Sequence, residues 1–229
     1  MTLVASAPET PSSLLPIGQF VGTFPGGADG ADQPHEIRRG TDIHEISDED
    51  FVAWMAAHGT DGSAAGGPPS RAQLETELRG QGLEAPGGVI DGLLDRGLLA
   101  RVPPQGPGAI EFARTHRAVP TLYGLGNSPE EPGLFGIGLL GHELLRVTRP
   151  VFELWAWADV DGDLWTACES FAAQEREAGV TDPELSDPAL VLEHFLVALT
   201  GLLSAQAVYL DIRPDTDGES ADTERRAAA

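Results

Sequence analysis

ISDEDFVAWMAA at residues 46–57 and VTRPVFELWAWA at 147–158 read as one segment written twice. Placed together, Ile46 meets Val147, Ser47 meets Thr148, Phe51 meets Phe152, Trp54 meets Trp155 and Ala57 meets Ala158. Phe and Trp three positions apart share one face of a helix. A hydroxyl residue precedes each run as an N-cap, carboxylates fill the first turn of the first copy, and Pro150 takes the early helical position where a missing N–H costs nothing. Both segments are therefore expected to be helices, and the chain to be built from two copies of one unit.

The match extends outward with small gaps. LPIGQFVG from Leu15 resembles VPTLYGLG from Val119, setting Pro16 opposite Pro120 and Gly22 opposite Gly126. Ser70 with Gln73 is set against Thr166 with Glu169 as a cap and its third position, and GLL at 97–99 against GLL at 201–203. HEIRRGTDIHEI at 35–46 reads as two short strands around Gly40, and LFGIGLL with ELLRV at 134–147 supplies strand material in the second copy. A third apolar segment, GGVIDGLLDRGLL at 87–99, ends as a helix at Gly97. The long run from Asp187 to Asp211 opens with Asp and Pro, then is apolar on almost every side, as for a helix covered by both copies.

The fold class expected is α+β: tandem winged-helix-like repeats with preceding antiparallel strands in a pseudo-twofold arrangement. LLARV at 98–102 and AIEFA at 109–113 are read as the two strands of a wing around the loop PPQGPG, although any small helical domain followed by a hairpin gives a related order. The units run over 14–114 and 117–211. Residues 1–13 and 212–229 lack an apolar period and are expected to be a flexible N-terminus and a disordered tail, while the Gly- and Pro-rich stretches at 25–34 and 59–69 read as loops.

Composition narrows the chemistry. The 229 residues carry 36 Asp and Glu against 14 basic residues, all of them Arg, for a formal charge of −22. Without a lysine side chain there is no lysine Schiff base, no lysine general base and no P-loop lysine. The acidic excess repels nucleic acid and anionic membranes and favours a basic peptide or protein. Cys168, the one cysteine, allows neither an intramolecular disulfide nor a multi-cysteine metal site, and suits a cytoplasmic location; neither a secretory signal nor a transmembrane helix is expected.

No motif points to a cofactor or a metal, so none is expected. Asp159, Asp161 and Asp163 alternate, but counting from Asp159 puts Leu164 where a calcium loop needs Gly and Ser170 where it needs Glu. The adjacent pairs His35-Glu36, His44-Glu45 and His142-Glu143 lack metal-ligand spacing, since neighbours in a strand face opposite sides. YGLGN at 123–127 is no dinucleotide fingerprint, because loop follows it where a helix is required. Cys168 lies in step with Leu164, Trp165 and Phe171 on an apolar helix face and reads as a core thiol. Tyr123, His116, Arg117, His142, Arg146 and Arg149 are the densest polar set, and Tyr123, His142 and Arg146 are the only catalytic candidates, with surface ion pairing as the plainer reading.

The order of strands followed by three helices, over most of 15–211, resembles the winged-helix modules that recognise leader peptides of ribosomally synthesised, modified peptides. That resemblance implies a peptide added as a strand beside the third strand and third helix. Carried to this chain, the site is Asp42, Ile43, His44, Glu45 and Ile46 facing Val89, Leu93 and Arg96, and in the second copy Leu144 to Thr148 facing Leu192 and Phe195. The expected function is a peptide- or protein-binding accessory subunit that presents a precursor peptide to a modifying enzyme, with an extended peptide or partner protein as ligand, no direct nucleic acid and no membrane. A metal-independent peptide cyclase or lyase of the same kind of pathway and a winged-helix transcriptional regulator are the alternatives. Against the regulator, the third helices carry Asp91, Asp95 and Arg96 in one copy and neither Arg nor Lys in the other, so neither offers the set that reads base edges.

Overall fold

The computed structural model describes residues 12–24, 34–59 and 68–214. Residues 1–11 and 215–229 of the terminal segments expected to be mobile, and most of the two expected loops at 25–34 and 59–69, lie outside them; Ser13 and Ile212, expected to belong to the mobile ends, are instead strand residues held by antiparallel pairing. The first copy runs β1 (Ser13–Pro16), β2 (Gln19–Thr23), β3 (His35–Arg39), β4 (Asp42–Ile46), α1 (Asp48–Ala56), α2 (Arg71–Gly80), α3 (Pro86–Asp95) and β5 (Leu99–Val102). After α4 (Pro107–Thr115), the second runs β6 (His116–Pro120), β7 (Tyr123–Asn127), β8 (Leu134–Leu139), β9 (His142–Thr148), α5 (Arg149–Trp157), α6 (Leu164–Glu177), the short α7 (Pro183–Ser186), α8 (Pro188–Ser204) and β10 (Val208–Ile212). The fold is α+β, and its sheets are arranged alike in the two copies: β2-β3-β4 with β1-β5 in one, β7-β8-β9 with β6-β10 in the other, every pairing antiparallel.

The equivalence reaches individual residues. Pairing of β2 with β3 shifts register between Phe20 and Gly22, and that of β7 with β8 between Gly124 and Gly126. Pro16 sits opposite Leu99, and Pro120 opposite Val208. Just beyond each proline, Ile17 N–H donates to Leu98 O at 2.9 Å and Thr121 N–H to Ala207 O at 3.1 Å. These contacts set Leu98 against Ala207 and therefore Gly97 against Gln206. The set of GLL at 97–99 against GLL at 201–203 is corrected accordingly: shared composition placed it five positions early in the second copy. The cap of α6 is Asp163, whose carboxylate accepts from Thr166 N–H at 2.8 Å, so Thr166 occupies the position of Gln73 rather than of Ser70. In α2 the expected box is complete, with Ser70 and Gln73 capping reciprocally.

The wing is absent. Residues 109–113 lie inside α4, and β5 pairs with β1 instead. Pro107 supplies the first helical turn after Gly106, and Ala109, Phe112 and Ala113 form a helical stripe buried against α6 and α8. Five residues with apolar ends fit a strand as well as a helix, and tertiary burial decided between them.

Two cores meet at β1. Leu14 faces the first, with Ile37, Trp54, Leu74, Leu78, Ile90, Leu93 and Leu98; Leu15 faces the second, with Phe112, Trp155, Leu164, Phe171, Phe195, Leu199 and Leu210. Successive strand residues point to opposite sides, which lets one strand serve both. Between the copies, Gly18 N–H donates to Leu210 O at 2.7 Å, and buried Asp211, paired within its own copy with Arg117 at 3.2 Å, accepts from Gly40 N–H at 2.7 Å. The reciprocal backbone bond demanded by a twofold, Leu122 to Arg101, is not formed among the described residues, so contact between the copies is one-sided.

Candidate functional site

Each three-stranded sheet leaves its last strand at an edge, and that edge lies beside the third helix of its copy. In the first copy the edge is already occupied. Arg96, the C-cap of α3, donates from its guanidinium to Glu45 O at 2.5 Å and pairs with Asp50 at 3.3 Å, the third residue of α1. A guanidinium thus stands where an added strand would place an N–H group. Of the residues expected to receive a peptide there, Asp42, Ile43 and Glu45 are exposed, His44, Val89 and Arg96 are half-buried, and Ile46 and Leu93 belong to the core. Leu93 is therefore not an anchor-pocket residue: it packs under α3 with Ile90 and Leu98. Burial and the neighbouring Arg39 and Arg96 guanidinia lower the pKa of His44, and its Nε2 is buried without a hydrogen-bond partner.

The second copy lacks this plug. Ala205 is the C-cap of α8, as Arg96 is of α3, and Val151 is the third residue of α5, as Asp50 is of α1. Both charged members are replaced by small or apolar ones, and a groove of about 630 Å³ opens between β9 and α8. Val147, Val151, Val197, Ala198 and Ala205 line it, with Arg146, Thr148, His194 and Ser204 as its polar residues. Leu144 is 45% exposed and Val197 54% exposed. Leu192 and Phe195, expected to face the peptide, point the other way into the core. The helical residues that face β9 are His194, Val197, Ala198, Gly201 and Ala205, so α8 is not covered on every side.

Tyr123, His142 and Arg146, the catalytic candidates, stand on two strands of one sheet, β7 and β9. Tyr123 is exposed on β7, His142 opens β9, and no hydrogen bond joins them among the described residues. The guanidinium of Arg146 is held by Glu143 at 2.5 Å and by Glu131. Arg149 instead makes a bidentate pair with buried Glu175, both contacts at 2.9 Å, tying α5 to α6. Asp159 pairs with Arg117 at 2.9 Å, Asp163 is a helix cap, and burial pushes the Cys168 thiol up to about 12. Among the described residues, no three His, Cys, Asp or Glu side chains gather so as to hold a metal ion, and no helix is long and apolar enough to cross a membrane.

No protein-family model, curated protein or solved structure matches the chain.

Proposed function

We propose that the chain is a peptide-binding accessory subunit whose second copy receives one extended peptide as an added strand between β9 and α8, for presentation to a modifying enzyme. The observation that carries this reading is the exchange of Arg96 for Ala205, which leaves the β9 edge and its apolar groove open. An edge strand provides backbone bonds that tolerate many sequences, and the groove selects alternate apolar side chains. The formal charge of −22 favours basic residues elsewhere in the peptide, by attraction that weakens with salt. Each copy, a three-stranded sheet followed by three main helices, with the short α7 added in the second, keeps the layout that leader-peptide recognition implies, and we read the repeats as winged-helix-like units whose wing has been replaced by a returning strand. Such a subunit would work in the cytoplasm, where precursor peptides are made.

The test uses a capped peptide of alternating Leu and Arg and the same peptide with alternate backbone amides N-methylated, titrated into the full chain and followed by amide resonances. The first peptide is expected to shift β9 and α8 and the second to bind at least tenfold more weakly, since methylation removes strand donors but no charge. Ala205→Arg should abolish the shifts in a folded protein. Equal binding of the two peptides, or shifts centred on Tyr123 and His142, would reject the reading.

A further inference from the structure

A second cavity lies between the copies and has a different character. It measures about 440 Å³ and is walled by Phe20, Phe51, Trp54 and Met55 from the first copy and by Gln206 and Tyr209 from the second, with His58 beside them. Phe20 and Phe51 have ring centroids 4.9 Å apart, and Trp54 meets His58 edge-on at 4.4 Å. The second copy has no such wall, because Gly124 takes the place of Phe20, and even a methyl group there would press on the Phe152 ring at 2.6 Å.

Two polar groups in this cavity are unusual. His58 Nδ1 lies 3.0 Å from Trp54 O, and a carbonyl only accepts, so the proton is on Nδ1. Burial pushes the imidazole pKa down to about 4, so at neutral pH Nε2 carries a lone pair, and it has no hydrogen-bond partner among the described residues. Gln206 has φ of 52°, the one non-glycine residue with positive φ among those described. Its equivalent in the first copy is Gly97, at φ of 66°. A left-handed backbone costs a residue with a Cβ roughly 1 kcal/mol. Glycine would remove that cost, whereas Gln206 sets a side chain with an amide donor and acceptor at this cavity.

We infer that the cleft between the copies binds a planar aromatic group bearing an N–H or O–H donor, such as an indole or phenol, with the ring between Phe20, Trp54 and Tyr209, the donor on His58 Nε2, and Gln206 closing the mouth. Interfaces between units are common places for such sites, mostly apolar with a few placed polar groups. The ring could arrive free or as a peptide side chain, since Gln206 directly follows Ala205 of the β9–α8 groove.

Indole, 1-methylindole and N-acetyltryptophanamide distinguish these cases when each is titrated into the full chain by calorimetry with amide resonances recorded in parallel. Indole is expected to shift Phe20, His58 and Gln206, and 1-methylindole, the same ring without its donor, to bind at least tenfold more weakly. Tighter binding of indole than of N-acetyltryptophanamide assigns a free ring; the reverse order assigns a peptide side chain. His58→Phe should bring the two indoles to within about twofold, and Gln206→Gly should weaken indole while leaving the fold intact. Equal affinity of the two indoles for the unchanged protein, no binding up to the solubility of indole, or shifts away from the cleft would overturn the assignment.

Discussion

Arg96 and Ala205 end equivalent helices with the same backbone, φ and ψ near −82° and −5° in one and −80° and 0° in the other, yet only Arg96 reaches the edge of its sheet. The guanidinium that covers Glu45 O, with its partner Asp50, has no counterpart at the β9 edge. Exchanging Arg96 and Ala205 should exchange the behaviour. Arg96→Ala is expected to admit a second strand peptide per chain, measured as stoichiometry by calorimetry, at a stability cost of about 1–2 kcal/mol for the lost charged hydrogen bond and ion pair. Unchanged stoichiometry in a folded variant would count against edge pairing as the binding mode.

Trp54 and Trp155 fill equivalent positions and satisfy their indole N–H groups on neighbouring carbonyls, Ile17 O at 3.2 Å and Ala207 O at 2.7 Å. Each replacement by alanine should cost about 3–5 kcal/mol in chemical denaturation, since it removes a fully buried ring and leaves a cavity. A loss below 1 kcal/mol at either position would show that the core collapses around the gap.

Buried Asp211 gathers Gly40 N–H and the Arg117 guanidinium at the junction of the copies. Asp211→Ala should destabilise the protein by about 3 kcal/mol, because both donors lose a buried acceptor. Asp159→Ala, removing the more exposed partner of Arg117, should cost less than 1 kcal/mol, and comparison of the two denaturation midpoints checks the ranking.

His58 makes stability depend on pH in a defined window. Its folded pKa, about 4, lies below the ordinary 6.5, so the unfolded chain takes up the proton first. Its contribution is complete above pH 6.5, falls as pH drops, and is exhausted near pH 4; between pH 7 and 5 the loss is about 2 kcal/mol. His58→Phe should lose correspondingly less over that interval in urea titrations. Parallel profiles for the two proteins would contradict a neutral buried imidazole.

Random duplex DNA should not bind at physiological salt. With a charge of −22 and third helices lacking a basic face, no phosphate counterions are released on approach. Fluorescence anisotropy of labelled duplex checks this, and a salt-dependent rise at low micromolar protein would refute it.

The likeness of the two halves was readable from Phe51, Trp54, Phe152 and Trp155 because large residues at helical spacing leave a strong pattern. The paired strands around Gly40, the caps at Ser47 and Ser70 and the buried Cys168 were readable for similarly local reasons. Residues 109–113 were not, because five residues carry too little periodicity to separate strand from helix. Leu93 and Phe195 read equally well as groove or core residues in the sequence, because apolar residues on a broad face do not announce which neighbour covers them. Arg96 was placed in the right region, but as part of a receptor; its grip on Glu45 O joins residues distant in sequence and leaves no local trace.

Leu14 and Leu15 commit one short strand to two interiors. A chain cut in the turn after Val102 would therefore not release two self-sufficient halves: the first would expose Leu15, Ile17 and Val102 to water, and the second would lose part of its lid. Neither half can close its interior without the other, and heating should melt the protein in a single cooperative step.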